Sequence, residues 1–382
     1  MKFLHLSDLH IGKTVNRFSM LEEQKNVFDQ ITGYIRSEQP AAVIIAGDVY
    51  DRAIPGVEAV GLFDDFLTSL AREDVAVMLI AGNHDSPERM NFASRLLSEK
   101  KLFLCGSFCG KLQKHVLTDE FGDVNFWLLP FVKPLTVREF FSENQIESYD
   151  DAINIILRNA DINYSSRNVL VSHQFYTRAA VEPVRSDSEM DTVGGLDAVD
   201  AGIIEQFDYA ALGHLHGEQT VGAMHIRYAG SPVKYSFSEW RQEKSVSMVE
   251  LNEKGNLMVK ALPLKPVHDM REIKGELEKL RSEKVYSLYD KEDYLRVVLT
   301  DEEEIIDPIG KLRSVYPNIM SLDFERSGKN ADAASSVPDS DEIKKLSPFD
   351  LFNDFFNAQL NAKLSAEQKK IVRDILESED EE

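Results

Sequence analysis

Residues 79–89 read LIAGNHDSPER. An aliphatic run with the length of a buried strand stops at Gly82. An amide, an imidazole and a carboxylate follow at once: Asn83, His84 and Asp85. Asn and Asp beyond a strand can cap the next helix. A His and a carboxylate in the same place can equally hold a metal or move a proton. Alone, the stretch leaves these readings open.

The runs around it set the fold. "KFLHL" (2–6), "AAVIIAG" (41–47) and "VAVMLIAG" (75–82) have the short, continuous apolar character of strands buried on both faces. Between them, 19–38 and 56–73 carry apolar residues at helical spacing, for example Met20, Val27, Ile31 and Ile35. This is a βαβαβ pattern, which predicts parallel strands. Strand signals return at "NFWLLPF", "NVLVSHQF", "YAALGHLH" and "HIRYAGSP". The last of these lie too close together for intervening helices, so a mixed or antiparallel sheet is expected there.

Beyond about Leu264 the pattern changes. "REIKGELEKLRSE" (271–283) predicts a helix, "YLRVVLTD" a strand, "IGKLRSVY" a short helix and "IMSLDFER" another strand, together a small α/β domain. Residues 327–345 are small, polar and Pro-containing, the composition of a flexible linker. Two helices are expected in 346–377. Ser347 stands before Pro348, an N-cap with Pro at the first helical position. Ser365 and Gln368 have capping-box spacing. The second helix carries Ile371, Val372, Ile375 and Leu376, while the first gathers Phe349, Phe352, Phe355 and Phe356. So apolar a pair needs a surface to dock on. Residues 378–382 form an acidic tail. The expected boundaries are therefore 1–265, 266–326, 327–345, 346–377 and 378–382.

The 382 residues carry a formal net charge of -22, which argues against a generally basic nucleic-acid footprint. Bound metal ions can invert the field inside a site, so charge alone does not exclude a nucleic-acid substrate. Two cysteines, Cys105 and Cys109, supply no thiolate metal framework and are expected to be buried hydrophobes. With no long apolar run and an early Asp8 and His10, a soluble, cytoplasmic protein is expected. "GKT" at 12–14 resembles the end of a phosphate-binding loop, but Ser7 stands where that loop needs its first Gly.

Of nine histidines, His10, His84, His173, His214 and His216 fall directly after strand-like runs. The junctions are "LSDLH", "AGDVYD", "AGNHD", "LVSHQ" and "LGHLH", and they also carry Asp8, Asp48, Asn83 and Asp85. In open α/β sheets, ligands gather beyond the carboxyl ends of strands. Singly, Asp8 or Asp48 could be a helix cap, His173 a hydrogen-bonded core histidine, and the His214–His216 pair structural. Together, five such junctions point to a metal centre. Carboxylate, amide and imidazole donors without thiolates suit Mn²⁺ or Fe²⁺, and less specifically Mg²⁺ or Zn²⁺. The donor set exceeds what one ion needs. Two ions can activate water and clamp both oxygens of an in-line displacement at phosphorus.

In order and spacing, "DLH…GD…GNHD…H…GHLH" resembles the five-motif signature of the calcineurin-like metallophosphoesterases. "SDLHIGKT", "VGGLDAV", "FDYAALGHLH" and "RYAGSPVKYSFSEW…KSV" further resemble the SbcD-type nuclease subunits of SbcCD DNA-repair complexes. The resemblance implies a four-layer α-β-β-α core with a small α/β capping domain and a C-terminal helical pair. It implies two divalent ions, Mn²⁺ foremost. Asp8, His10 and His216 would hold one; Asn83, His173 and His214 the other; Asp48 would bridge them. His84 would face the scissile phosphate, and Asp85 would hydrogen-bond its ring. The implied activity is double-strand exonuclease and single-strand or hairpin endonuclease cleavage in repair and recombination. The implied partners are DNA, a coiled-coil SbcC ATPase docked by the C-terminal helices, and a second copy, in a heterotetramer. Segments 56–70 and 87–100 could supply the dimer surface. Arg17, Arg52, Arg89 and Arg95 near the motif loops are candidate phosphate contacts. One departure is visible: Asp51-Arg52 stands where relatives from archaea and eukaryotes tend to have a His, so no role of that His is transferred. A phosphoesterase for a small phosphodiester or phosphoprotein, and a non-catalytic scaffold, are the competing readings.

Overall fold

The computed structural model describes residues 1–178, 183–189, 197–303, 305–325, 349, 351–353, 356 and 364–379. The predicted linker, most of "VGGLDAV" and most of the helix expected over 347–360 lie outside the described residues.

Two six-stranded sheets organise the core. The first runs Leu257–Pro263, Ser245–Leu251, Lys2–Leu6, Ala42–Ala46, Ala76–Ile80, Leu102–Cys105. Its last four strands are parallel, as the βαβαβ pattern requires, and the chain's return through Ser245–Leu251 pairs antiparallel to Lys2–Leu6. The second sheet runs Gln219–Val221, Ala223–Tyr228, Tyr209–Leu212, Arg167–Ser172, Gly122–Leu129, Gln113–Asp119. It is mixed: four central strands are parallel and a hairpin closes each edge.

Three apolar clusters make this a four-layer sandwich. Phe3, Ile44, Met78 and Ile80 of the first sheet pack against Phe126, Val169, Val171 and Ala211 of the second. The outer face of the first sheet is covered by the helices Leu21–Glu38 and Val57–Arg72 through Val27, Phe28, Ile31, Phe63 and Phe66. The outer face of the second is covered by Tyr149–Asn159 through Ile153, Ile156 and Leu157. Central strands buried on both faces must be apolar throughout, which explains the unbroken runs in the sequence. The expected α-β-β-α fold is the one found.

The chain divides into two compact units, residues 1–298 with 307–323, and residues 299–306 with 324–382. A three-stranded sheet of Met270–Gly275, Tyr294–Leu299 and Ile319–Phe324 follows the core, with a short helix at Pro308–Arg313. The single long helix expected over 271–283 is not there. Its first half is the strand Met270–Gly275, and only the short helices Leu277–Leu280 and Glu283–Tyr286 follow. Gly275 interrupts the helical run at a cost of about 1 kcal/mol against Ala. On the strand, Arg271 instead reaches Asp293, and Glu272 reaches Arg296 of the neighbouring strand at 3.5 Å. Tertiary pairing thus overrides local propensity.

In the second unit, the helix Ala366–Glu379 begins as expected. Gln368 N–H donates to Ser365 Oγ, and Ser365 N–H donates back to Gln368 Oε1. Cys105 is buried but Cys109, in the loop after its strand, is exposed, contrary to the expectation for that residue. Among the described residues no helix is long and apolar enough to cross a membrane.

Candidate metal centre

Every predicted site residue lies just past the carboxyl end of a parallel strand. Asp8 and His10 follow Lys2–Leu6, Asp48 follows Ala42–Ala46, and Asn83 follows Ala76–Ile80. From the second sheet, His173 follows Arg167–Ser172, and His214 and His216 follow Tyr209–Leu212. Both sheets thus end at the same edge of the sandwich, and the side chains of one rim face those of the other.

The first rim is shaped by unusual backbone. Asp8, His10 and Asp48 all have positive φ (53°, 43° and 49°), a region non-glycine residues rarely occupy and one that concentrates at functional sites. A short backbone ladder holds them there: Asp8 N–H to Gly47 O, His10 N–H to Asp48 O and Ile11 N–H to Val49 O. Neither aspartate caps a helix; the helices that follow start at Leu21 and Val57, with Met20 and Gly56 at their N-cap positions. Gly47 has φ +89°, and a Cβ there would lie 2.3 Å from His173 Nδ1. A Cβ on Gly82 would lie 2.1 Å from Asp48 Oδ1. The small-residue turns that stand out in the sequence are close approaches of backbone to site side chains.

Ligand-type atoms converge. Asp8, His10 and His216 form one group whose donor atoms all lie within 4.8 Å of each other; Asp8, Asp48 and His173 form a second, and His10, Asp48 and His84 a third. Asp48 Oδ2 lies 3.6 Å from His10 Nε2 and 3.3 Å from His173 Nε2, between the two sides of the cluster. Asn83 Oδ1 meets His173 Nε2 at 3.0 Å and His214 Nδ1 at 3.2 Å. His173 is anchored from behind: its Nδ1 donates to Ala46 O at 2.7 Å, and its Nε2 is turned to the oxygens of Asp48 and Asn83. His10 and His216 meet Nε2 to Nε2 at 3.1 Å, and His10 Nδ1 is buried with no hydrogen-bond partner. Buried carboxylates, an amide and facing imidazole nitrogens fit divalent cations of the Mn²⁺ or Fe²⁺ type.

The electrostatics follow from burial and proximity. Burial alone would raise the Asp48 carboxyl, but the facing His173, His10 and His84 rings pull it well below the usual carboxylate range. Burial opposes the charged form of His173, yet the carboxylates of Asp48 and Asp8 outweigh it and lift the ring to about 9. His214 moves the other way, to about 3, through burial and then the neighbouring His173. Of this pair, His173 therefore holds the proton and Asp48 the negative charge.

One predicted contact is absent. Asp85 does not hydrogen-bond the His84 ring. Its carboxylate accepts the backbone N–H groups of Val49, Tyr50 and Gly82 at 3.0, 2.9 and 2.9 Å, and so ties the loop after Ala46 to the loop after Ile80. His84 Nδ1 lies 3.0 Å from the carbonyl of Asp51, and its backbone N–H donates to Asp48 Oδ1. Asp51 stands out in the sequence only as a departure from relatives; main-chain carbonyls carry no side-chain signature, so its role is not legible there. The half-buried His84 ring stands edge-on to His10, centroids 4.8 Å apart.

Gln24, Ser188, Glu189, Glu239 and Lys244 also reach the site. Gln24 Nε2 donates to the His10 carbonyl at 2.8 Å, and Glu189 Oε1 accepts the backbone N–H of His216 at 2.7 Å. Glu239 and Lys244 lie inside the quoted "SFSEW…KSV", where buried charge is the available signal. Of the four candidate arginines, all are exposed; Arg52 adjoins Asp51, while Arg89 lines a groove on the flank with Phe92 and Leu97.

The calcineurin-like phosphoesterase family model matches residues 1–218, and a C-terminal family described as the type 5 capsule protein repressor C-terminal domain matches 266–359. The SbcD subunit of the SbcCD nuclease from Staphylococcus epidermidis is 32% identical over 98% of both chains. Its counterpart from Staphylococcus saprophyticus is 31% identical, again over 98% of both. Likeness from end to end extends the kinship past the metal-site motifs into the C-terminal part. Calcineurin-like phosphoesterases are hydrolases that work with divalent metal ions, and this chain belongs to that family, in its SbcD nuclease-subunit branch.

Proposed function

We propose that this chain is the nuclease subunit of an SbcCD-type complex, hydrolysing DNA phosphodiesters at a pair of Mn²⁺ ions. Full-length similarity to nuclease subunits supports the DNA substrate. The observation that carries the two-ion reading is Asp48, whose Oδ2 stands between the His10 and the His173 sides of the cluster. Asp8, His10 and His216 are assigned to one ion, Asn83, His173 and His214 to the other, and Asp48 to both. When bound, such a pair supplies a nucleophile from water at neutral pH and stabilises charge at phosphorus.

The chain's own residues do the rest. Asp8 and Asp48 balance the positive charge. Asn83 adds a neutral oxygen donor. His84, its Nδ1 side fixed by the Asp51 carbonyl, is free at Nε2 to stabilise or protonate the leaving oxygen of the DNA strand. Asp85 acts one step back, holding the loops that present Asp48 and His84 in register.

The partner is an SbcC-type ATPase engaged through the C-terminal helices, as the relatives' name and the apolar face with Ile371 and Ile375 support. A second copy is assigned to the flank where Ile54, Val57, Phe92 and Leu96 are largely exposed around a groove. The domain boundaries expected from the sequence are part of the same proposal.

The test is cleavage of end-labelled linear DNA and of an aryl phosphodiester by the full chain with Mn²⁺, alone and with the ATPase and ATP. DNA cleavage stimulated by the partner is expected. Hydrolysis of the ester but never of DNA would overturn the nuclease reading.

A further inference from the structure

Behind the His216 ring lies a buried chain of polar groups. Ser188 Oγ is 2.7 Å from His216 Nδ1 and 2.7 Å from Glu239 Oε1. Glu239 Oε1 is itself 3.5 Å from that ring nitrogen. The other Glu239 oxygen accepts from Lys244 Nζ at 2.6 Å, and Lys244 also donates to the His216 carbonyl at 2.9 Å and to Ser231 Oγ at 3.0 Å. Glu239 is fully buried and Lys244 nearly so. A buried ion pair of this kind is weak ground for stability, since desolvation offsets much of the attraction. A different role is written in the donor count.

A carboxylate only accepts, so the Ser188 hydroxyl proton points at Glu239, and the Ser188 oxygen is left as an acceptor toward His216. Nδ1 of His216 then carries the ring proton, and Nε2 presents its lone pair, 3.1 Å from Nε2 of His10. We propose that Ser188 and Glu239, with Lys244 as counter-ion, are positioning residues that fix His216 in the Nδ1–H tautomer and hold Nε2 for a divalent cation. Lys244 adds a second restraint by gripping the backbone carbonyl of the same residue. The inference rests on the reading of His216 as a metal ligand.

The experiment is Mn²⁺ titration of the full chain, free ion counted by electron paramagnetic resonance, beside thermal melting of the metal-free proteins. Ser188→Ala is expected to weaken one of the two sites by about 10–100-fold, the usual effect of losing a partner behind a ligand, with melting unchanged. Ser188→Thr keeps a hydroxyl and is expected to restore affinity. His216→Ala is the control and is expected to lose one ion. Wild-type affinity in Ser188→Ala while His216→Ala loses an ion would overturn the positioning role alone. Failure of Ser188→Thr to restore affinity would do the same. Two ions still bound by His216→Ala would remove the ligand assignment and this inference with it.

Discussion

The two rims of the sandwich meet at one site but are built by different means. The first sheet contributes Asp8, His10, Asp48 and Asn83 from loops whose own backbone sets the geometry, with three positive φ angles and a ladder of main-chain hydrogen bonds. The second contributes the imidazoles of His173, His214 and His216 from shorter turns. Two of these rings are aimed by a distant group on Nδ1, Ala46 O for His173 and Ser188 Oγ for His216. His214 shares the positive φ, at 108°, so the second rim has some backbone control of its own, but the first leans mainly on conformation and the second mainly on long-range hydrogen bonding. Damage to the first should therefore be drastic and concentrated, and damage to the second graded and divisible between the ions.

The largest effect tests whether one residue spans the rims. Asp48→Ala should leave neither ion bound and lower DNA cleavage by at least about 10⁴-fold, since several kcal/mol of charge stabilisation at phosphorus leaves with the metal. His214→Ala should cost one ion. Metal analysis of the two variants separates them; a single ion lost from both would break the idea of a shared ligand.

His84 belongs to the first rim by position but not by proposed function. His84→Ala is expected to keep both ions and lose about 10²–10⁴ in cleavage rate, the range for a general acid. Metal loss in that variant would put His84 among the ligands, where its grouping with His10 and Asp48 also allows it.

Backbone control predicts a third effect. Gly47→Ala combines a left-handed φ with a Cβ 2.3 Å from His173 Nδ1. Gly122→Ala has φ +100° and open space around the added carbon. Urea unfolding should give about 1–2 kcal/mol for the second, the conformational cost alone. It should give about 2–5 kcal/mol for the first, with overpacking added. Equal losses would mean that the His173 contact relaxes freely.

The same contrast explains what can be read from the sequence. The first rim's loops are contiguous, so "LSDLH", "AGDVYD" and "AGNHD" announce donors at strand ends, and apolar runs buried on both faces announce the sheets. The second rim's histidines are visible, but what aims them is not: Ala46 O is a main-chain atom 127 positions from His173, and Ser188 is a serine in a loop with no periodic signal. Asp85 misleads for a related reason. Its neighbour in sequence is His84, but the N–H groups it accepts belong largely to the loop at Val49 and Tyr50. The helix expected at 271–283 fails because strand pairing with Tyr294–Leu299 outweighs the Glu- and Lys-rich local preference.

The smallest effect concerns the proton between the rims. In the metal-free protein His173 is lifted to about 9 because Asp48 and Asp8 outweigh burial. Its folded value lies above that of a free imidazole, so the His173–Asp48 pairing stabilises the metal-free fold fully below about 6.5 and ceases to do so as pH rises through about 9. A cation needs that ring neutral, so binding must release the proton. Affinity at the proposed His173 site should therefore rise by up to about tenfold per pH unit below 9 and level off above it. Calorimetry in buffers of different ionisation enthalpy should register about one proton released at that site near pH 7 and almost none near pH 10. An affinity flat between pH 6 and 8 would mean that His173 already stands neutral, and that the second rim meets the metal with no charge borrowed from the first.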